Sequence, residues 1–242
     1  EDAIKNKKIQ KGGLVVEGTA GNTGIGLAVV AKAYGLSLKI VIPKTQSIEK
    51  KETLKNLGAE LIEVDAVPYK DPKNYIKQSE KLAKDLSVSN SNGVLWANQF
   101  DNTVNMNSHI QTTAKEIWSQ TAGQVHGFVC AVGTGGTLAG VSIGLKERNK
   151  NIKIALSDPM GSSLYSYIKF NKLESSGSSI TEGIGTGRIT KNFEKALVDY
   201  SFQISDEEAL NIIFRIKEDQ NISLGGSSGI NIAGAIKLGK VL

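Results

Sequence analysis

Two segments carry residues whose types and spacing suit the binding of an anion. "EGTAGNTGIG" (17–26) and "AVGTGGTLAG" (131–140) each follow a β-branched run and open an apolar helical pattern. In such a strand–loop–helix turn, the amides of the loop and first helical turn lack intrahelical partners and aim at one point. In the first loop Thr19, Asn22 and Thr23 add side-chain donors, and the glycines let backbone approach a ligand closely. In the second, Gly133, Thr134, Gly135, Gly136 and Thr137 supply five amides and two hydroxyls in a row. A phosphate monoester is the natural occupant of such a nest. A third glycine-rich turn, "SLGGSSGINIAGA", places Ser227 and Ser228 at another helix start. Three loops of this kind suit a small ligand held in a cleft by its phosphate on one side and by polar groups on the other.

Rival chemistries fail on spacing. Gly133 and Gly135 would need glycine at 138 for a dinucleotide fingerprint, where Leu138 stands. "GAIKLGKV" (234–241) has Val241 where a P-loop requires Ser or Thr, so Lys240 reads as a solvated helix-end lysine. The two histidines, His109 and His126, have no acidic neighbour at ligand spacing, which disfavours a metal site or a Ser-His-Asp triad. Cys130 is the only cysteine, so an internal disulfide and a CxxC pair are excluded; within "HGFVCAV" it reads as a core thiol. The net charge of +5 is spread along the chain without arginine–aromatic interleaving, which argues against nucleic acid as a partner. No apolar run is long enough to span a bilayer.

The elements that must position these loops read as βαβ grammar. Strand patterns "GLVVE", "LKIVI", "AELIEV" and "GVLWAN" alternate with amphipathic segments at Ser47–Leu57 and Pro72–Leu86. After "QFDNTVN" the grammar restarts with a helix over about Met106–Gln120. Then come "HGFVCAV", a helix after Gly136, "IKIAL", "YSFQI", a helix over Asp206–Glu218 and a last helix after Gly229. The expected fold is α/β, with two open, mostly parallel sheets flanked by helices: a smaller domain over 1–104 and a larger one over 105–242. The Gly/Ser-rich stretch "ESSGSSITEGIGTGRIT" is too poor in apolar residues for a core strand, and reads either as a loop beside a ligand or as a plain surface loop.

Five motifs, "EGTAGNTGIGLA", "NQFDNTVNMNSHIQTTAKEIW", "VGTGGTLAGV", "TEGIGTG" and "LGGSSGINIAGA", stand in the order and approximate spacing of one family across nearly the whole chain. The sequence resembles the cysteine synthase and cystathionine β-synthase family, pyridoxal-phosphate enzymes of fold type II, like the tryptophan synthase β-subunit. "DAVPYKDPKNYIKQSEKLAKDL" and "LSDPMGSSLY" resemble in particular its fungal mitochondrial members. The resemblance implies pyridoxal 5'-phosphate in an inter-domain cleft, a homodimer, a mitochondrial or alternatively cytoplasmic location, and an amino-acid substrate with sulfide or a thiol. It implies that Gly133, Thr134, Gly135, Gly136 and Thr137 hold the cofactor phosphate, that Asn22 meets the ring hydroxyl oxygen, and that Ser227 faces the pyridine nitrogen. Thr19, Gly21, Thr23 and Gln99 match the groups that close on the substrate carboxylate, and Gly183 would lie over cofactor and substrate.

Two departures matter. The family's Schiff-base lysine sits in a Ser-x-Lys-Asp-Arg segment upstream of the first loop, and no such segment occurs here. No catalytic lysine is therefore assigned; it is expected upstream of Glu1, in a protein extending beyond both ends of this chain. Ala20 stands where the family usually has serine, removing one hydroxyl near the substrate carboxylate. The leading expectation is β-replacement that makes cysteine from O-acetylserine and sulfide. The alternatives are a related lyase, such as cystathionine β-synthase or a serine/threonine dehydratase, and a non-catalytic binding protein of the same fold.

Overall fold

The computed structural model describes residues 1–242, which divide into two compact units, Glu1–Gln99 and Phe100–Leu242. The first contains α1 (Asp2–Lys5), β1 (Leu14–Gly18), α2 (Asn22–Ala33), β2 (Ser37–Pro43), α3 (Ile48–Asn56), β3 (Glu60–Val64), α4 (Tyr75–Ser87) and β4 (Val94–Trp96). Its four strands are all parallel, in the order β3-β2-β1-β4. A parallel sheet must be covered on both faces, which explains why β1 is buried along its whole length. Side chains alternate accordingly. Val15 joins Ala28, Ala31, Leu54 and Ile40 in one core, while Leu14 and Val16 join Ala83 in another.

The second unit contains α5 (Val104–Gln111), α6 (Thr113–Gln120), β5 (Gly127–Cys130), α7 (Gly136–Lys146), β6 (Lys153–Pro159), α8 (Leu164–Phe170), β7 (Tyr200–Ile204), α9 (Asp206–Gln220) and α10 (Gly226–Gly239). Its sheet is also parallel, in the order β5-β6-β7. Leu138, Val141 and Leu145 of α7 pack with Ile154 and Leu156 of β6. Ala233 and Ile230 of α10 pack with Ile204 and Ala209 in a further core. Both sheets are parallel and helix-flanked, as the alternation of strand and helix patterns implies.

Three local expectations need correction. The helix over Met106–Gln120 is two helices, broken at Thr112, whose φ of −118° and ψ of −79° leave the helical path. Its hydroxyl bonds back to the Ser108 carbonyl at 2.8 Å, the competition by which threonine weakens a helix interior. The last helix starts at Gly226 rather than after Gly229, so Ser227 and Ser228 lie inside its first turn. A short helix, α8, was not foreseen. Its first-turn amide at Tyr165 bonds the buried Asp158 carboxylate at 2.7 Å. The Gly/Ser-rich stretch forms no helix or strand. With Pro159–Ser162 its residues, including Gly177, Ser179 and Thr181, wall a cavity of about 340 Å³. No helix is long and apolar enough to cross a membrane.

Candidate active site

Helix caps separate two kinds of helix. Among helices of nine residues or more, α3, α4 and α9 begin at Ser47, Asn74 and Ser205, each of whose side chains accepts a first-turn amide. The other three, α2, α7 and α10, begin at Gly21, Gly135 and Gly225, with no side-chain cap. These are the helices of the three glycine-rich loops. Apart from the amides of Gly24, Gly136 and Ser228, which bond the Gly21 carbonyl, Thr134 Oγ1 and the Gly225 carbonyl, their first-turn amides are left for something outside the chain.

In the first unit, β1 is flanked by β2 on one side and by β4 on the other. The chain runs outward from β1 through β2 to β3, then returns to the opposite side, so the order reverses at β1. Ligands of parallel α/β sheets bind beyond the carboxyl ends of strands at such a reversal. The loops leaving β1 and β4 carry Thr19–Gly21 and Ala97–Gln99 there. Thr23 donates to Gln99 Oε1 at 2.6 Å, and the buried Thr19 accepts from the Gly21 amide at 3.3 Å. The structure thus gathers Thr19, Gly21, Thr23 and Gln99, with the exposed Asn22 beside them. The amides of Asn22 and Thr23 have no backbone acceptor.

Glu17 was not singled out from the sequence, where it reads only as the end of "LVVE". It is 1% exposed. Burial pushes its carboxyl up to about 7, against hydrogen bonds from the Gln99 and Asn98 backbones, the Gln99 side chain and the Gly18 backbone. Its Oε2 keeps no partner. Glu17 therefore braces the β4 exit loop, in which Asn98 takes a left-handed φ of 47°.

In the second unit the loop after β5 is fixed from behind. Gly135 has φ of +87°, and a Cβ there would lie 2.6 Å from Phe193 Cβ. A Cβ on Gly133 would meet the Gly183 carbonyl oxygen at 2.4 Å, and one on Gly136 would meet the Asn105 side chain at 2.3 Å. The missing side chains of these glycines make room for the protein itself. Gly183 is thereby brought onto the loop. The Thr134 carbonyl accepts from the buried Thr190 hydroxyl at 2.6 Å, whereas the amides of Thr134, Gly135 and Thr137 meet no backbone acceptor. A backed loop with three unclaimed amides at the start of an uncapped helix fits a phosphate.

Two more residues complete this loop. Asn105 donates to Thr134 Oγ1 at 3.1 Å, and His109 Nε2 lies 3.2 Å from Thr137 Oγ1. They are four apart on α5, so they share one face. That face reaches α7 because Gly136, Gly140 and Gly144 form a ridge without side chains. A Cβ at Gly140 would lie 2.5 Å from His109 Cβ, and one at Gly144 would lie 2.5 Å from Ala114 Cβ. Burial holds His109 below the ordinary imidazole range.

Ser227, in the first turn of α10, is tied to the same region. Asn231 donates to the Ser227 carbonyl at 2.8 Å and accepts from the Ala131 amide at 2.7 Å, two residues before Gly133. Cys130 takes no part in this set: its thiol donates to the Ala131 carbonyl at 3.0 Å, and burial pushes it up to about 12.

The sequence pattern of a family described as "Pyridoxal-phosphate dependent enzyme" matches residues 1–241. "Cysteine synthase 1" of Emericella nidulans is 45% identical over 100% of this chain and 65% of its own length. A Saccharomyces cerevisiae relative with mitochondrial cysteine synthase in its name is 36% identical over 95% of this chain and 62% of its own. The chain therefore spans just under two thirds of the length of these relatives. The crystal structure of an O-acetylserine dependent cystathionine beta-synthase from Helicobacter pylori superposes with a TM-score of 0.86 at 32% identity, covering 100% of this chain and 74% of that one.

Proposed function

Because this chain belongs to the pyridoxal-phosphate dependent enzyme family, we propose that it serves PLP-dependent β-replacement, converting O-acetylserine and sulfide to L-cysteine and acetate. The observation that carries this is the loop Gly133–Thr137, whose Thr134, Gly135 and Thr137 amides are unclaimed at the start of an uncapped helix. Similarity to "Cysteine synthase 1" selects the reaction within the family.

In this reading Gly133, Thr134, Gly135, Gly136 and Thr137 hold the cofactor phosphate, and Asn22 and Ser227 address the ring. When bound, PLP supplies an electron sink for charge developing at the substrate α-carbon. The chain's residues supply orientation. Thr19, Gly21, Thr23 and Gln99 present amides and polar side chains to the substrate carboxylate, and Gly183 offers backbone without a side chain. Ser227 carries a hydroxyl, not a carboxylate, so it donates to an unprotonated ring nitrogen and does not stabilise a protonated one. That keeps the sink weak and favours loss of the β-substituent over reprotonation. Ala20 removes a hydroxyl from the carboxylate loop and tunes preference among activated serines. A homodimer and a mitochondrial location belong to the same reading, the latter supported by the name of the yeast relative.

The test is product analysis with the full-length protein and PLP. Cysteine from O-acetylserine plus sulfide is expected, in excess of cystathionine from serine plus homocysteine. The reverse ratio would move the assignment to cystathionine β-synthase, and no product from either pair would leave a binding protein.

A further inference from the structure

His109 makes no backbone hydrogen bond to the five loop residues, yet its ring lies between two hydroxyls. Nδ1 is 2.9 Å from Thr113 Oγ1, and Nε2 is 3.2 Å from Thr137 Oγ1. A neutral imidazole in this place has two tautomers with opposite consequences. With the proton on Nδ1, the ring donates to Thr113 and takes the Thr137 proton at Nε2. The Thr137 oxygen then turns only lone pairs outward. With the proton on Nε2, the ring donates to Thr137 and accepts from Thr113, and the Thr137 proton is released to point elsewhere. Thr137 is the second residue of α7, and its amide has no protein acceptor. An anion there is repelled by the first arrangement and gains a hydroxyl donor from the second.

We propose that His109 is a positioning residue for the cofactor phosphate, held as the Nε2–H tautomer so that the Thr137 hydroxyl donates to the anion. The inference rests on the reading of Gly133–Thr137 as the phosphate seat and adds a residue to it. The Gly136–Gly140–Gly144 ridge is part of the device, because only a helix without side chains there lets α5 bring the ring within 3.2 Å of Thr137. Burial, which lowers the His109 pKa, disfavours the doubly protonated form in which tautomer choice has no meaning.

Nitrogen-15 NMR of the full-length protein loaded with PLP is expected to show His109 protonated at Nε2 and bare at Nδ1. His109→Leu is expected to weaken PLP binding about tenfold, the size of one hydrogen bond to a charged acceptor. Its affinity for pyridoxal, which lacks the phosphate, is expected to be unchanged. His109→Gln, which can still donate to Thr137, should recover most of the loss. A wild-type protein binding PLP and pyridoxal equally would overturn the phosphate seat itself. A wild type that prefers PLP but carries the proton on Nδ1, or a His109→Leu variant weakened equally toward both probes, would leave the seat standing and overturn the role of His109.

Discussion

The loops after β1 and β5 share a strand–glycine–helix plan and differ in what stands behind them. Behind Gly21 there is space: a Cβ there would find nothing nearer than the Lys50 side chain at 3.6 Å. Behind Gly133, Gly135 and Gly136 there is packed protein within 2.6 Å. The first loop is held by a few side-chain hydrogen bonds, from Thr23 to Gln99 and from the Gly21 amide to Thr19. The second is wedged by Gly183, Phe193 and Asn105 and pinned through Thr190. A rigid nest suits a group that stays bound through turnover, whereas an open loop suits a substrate that must enter and leave. In the proposed reading the same motif serves two purposes, and the packing behind it decides which.

The largest break in this comparison comes from putting a side chain into the wedge. Gly135→Leu requires a left-handed backbone and overlaps Phe193, and it should cost about 4 kcal/mol. Thermal unfolding should show a large fall in Tm together with loss of PLP binding.

Each unit also buries one carboxylate, and Glu17→Gln sharpens that contrast. The Glu17 carboxyl rises from 4.5 to about 7, and Asp158 rises from 3.8 to about 6, both mainly through burial. Between the ordinary and the raised value the folded state holds a proton that the unfolded state has lost, so stability falls as pH rises through that window. For Glu17 the window is pH 4.5 to about 7 and the fall is up to about 3 kcal/mol. Denaturant titrations across pH should lose this slope in Glu17→Gln and keep the part from Asp158, which ends near pH 6. An unchanged slope would mean that Glu17 titrates normally.

Asn231→Ala removes two hydrogen bonds that join the start of α10 to the exit of β5. A loss of about 2 kcal/mol is expected, with weakened cofactor binding, measured by urea unfolding and PLP titration. The smallest effect is expected at the open loop. Gly21→Ala should cost far less than Gly135→Leu, because a Cβ there meets no overlap. A loss near that of Gly135→Leu would erase the distinction between the loops.

Much of this was legible in sequence. β-branched runs such as "LVVE" and "LKIVI" announce parallel strands, and glycine at the helix starts, against Ser47, Asn74 and Ser205 elsewhere, separates helices without a side-chain cap from capped ones. What could not be read was which groups stand behind the loops. His109 lacks an acidic neighbour in sequence and looks idle; its partners Thr113 and Thr137 become a pair only when the α7 glycine ridge meets α5. Glu17 looks like the polar exit of a strand, and only the order β3-β2-β1-β4 shows that β1 is flanked on both sides and buried.

Amide hydrogen exchange on the full-length protein tests the division between the loops most directly. Adding PLP alone should slow exchange at Thr134, Gly135 and Thr137 and leave Thr23 fast; adding O-acetylserine should then slow Thr23. Protection of Thr23 by PLP alone, with Thr134–Thr137 unaffected, would contradict it.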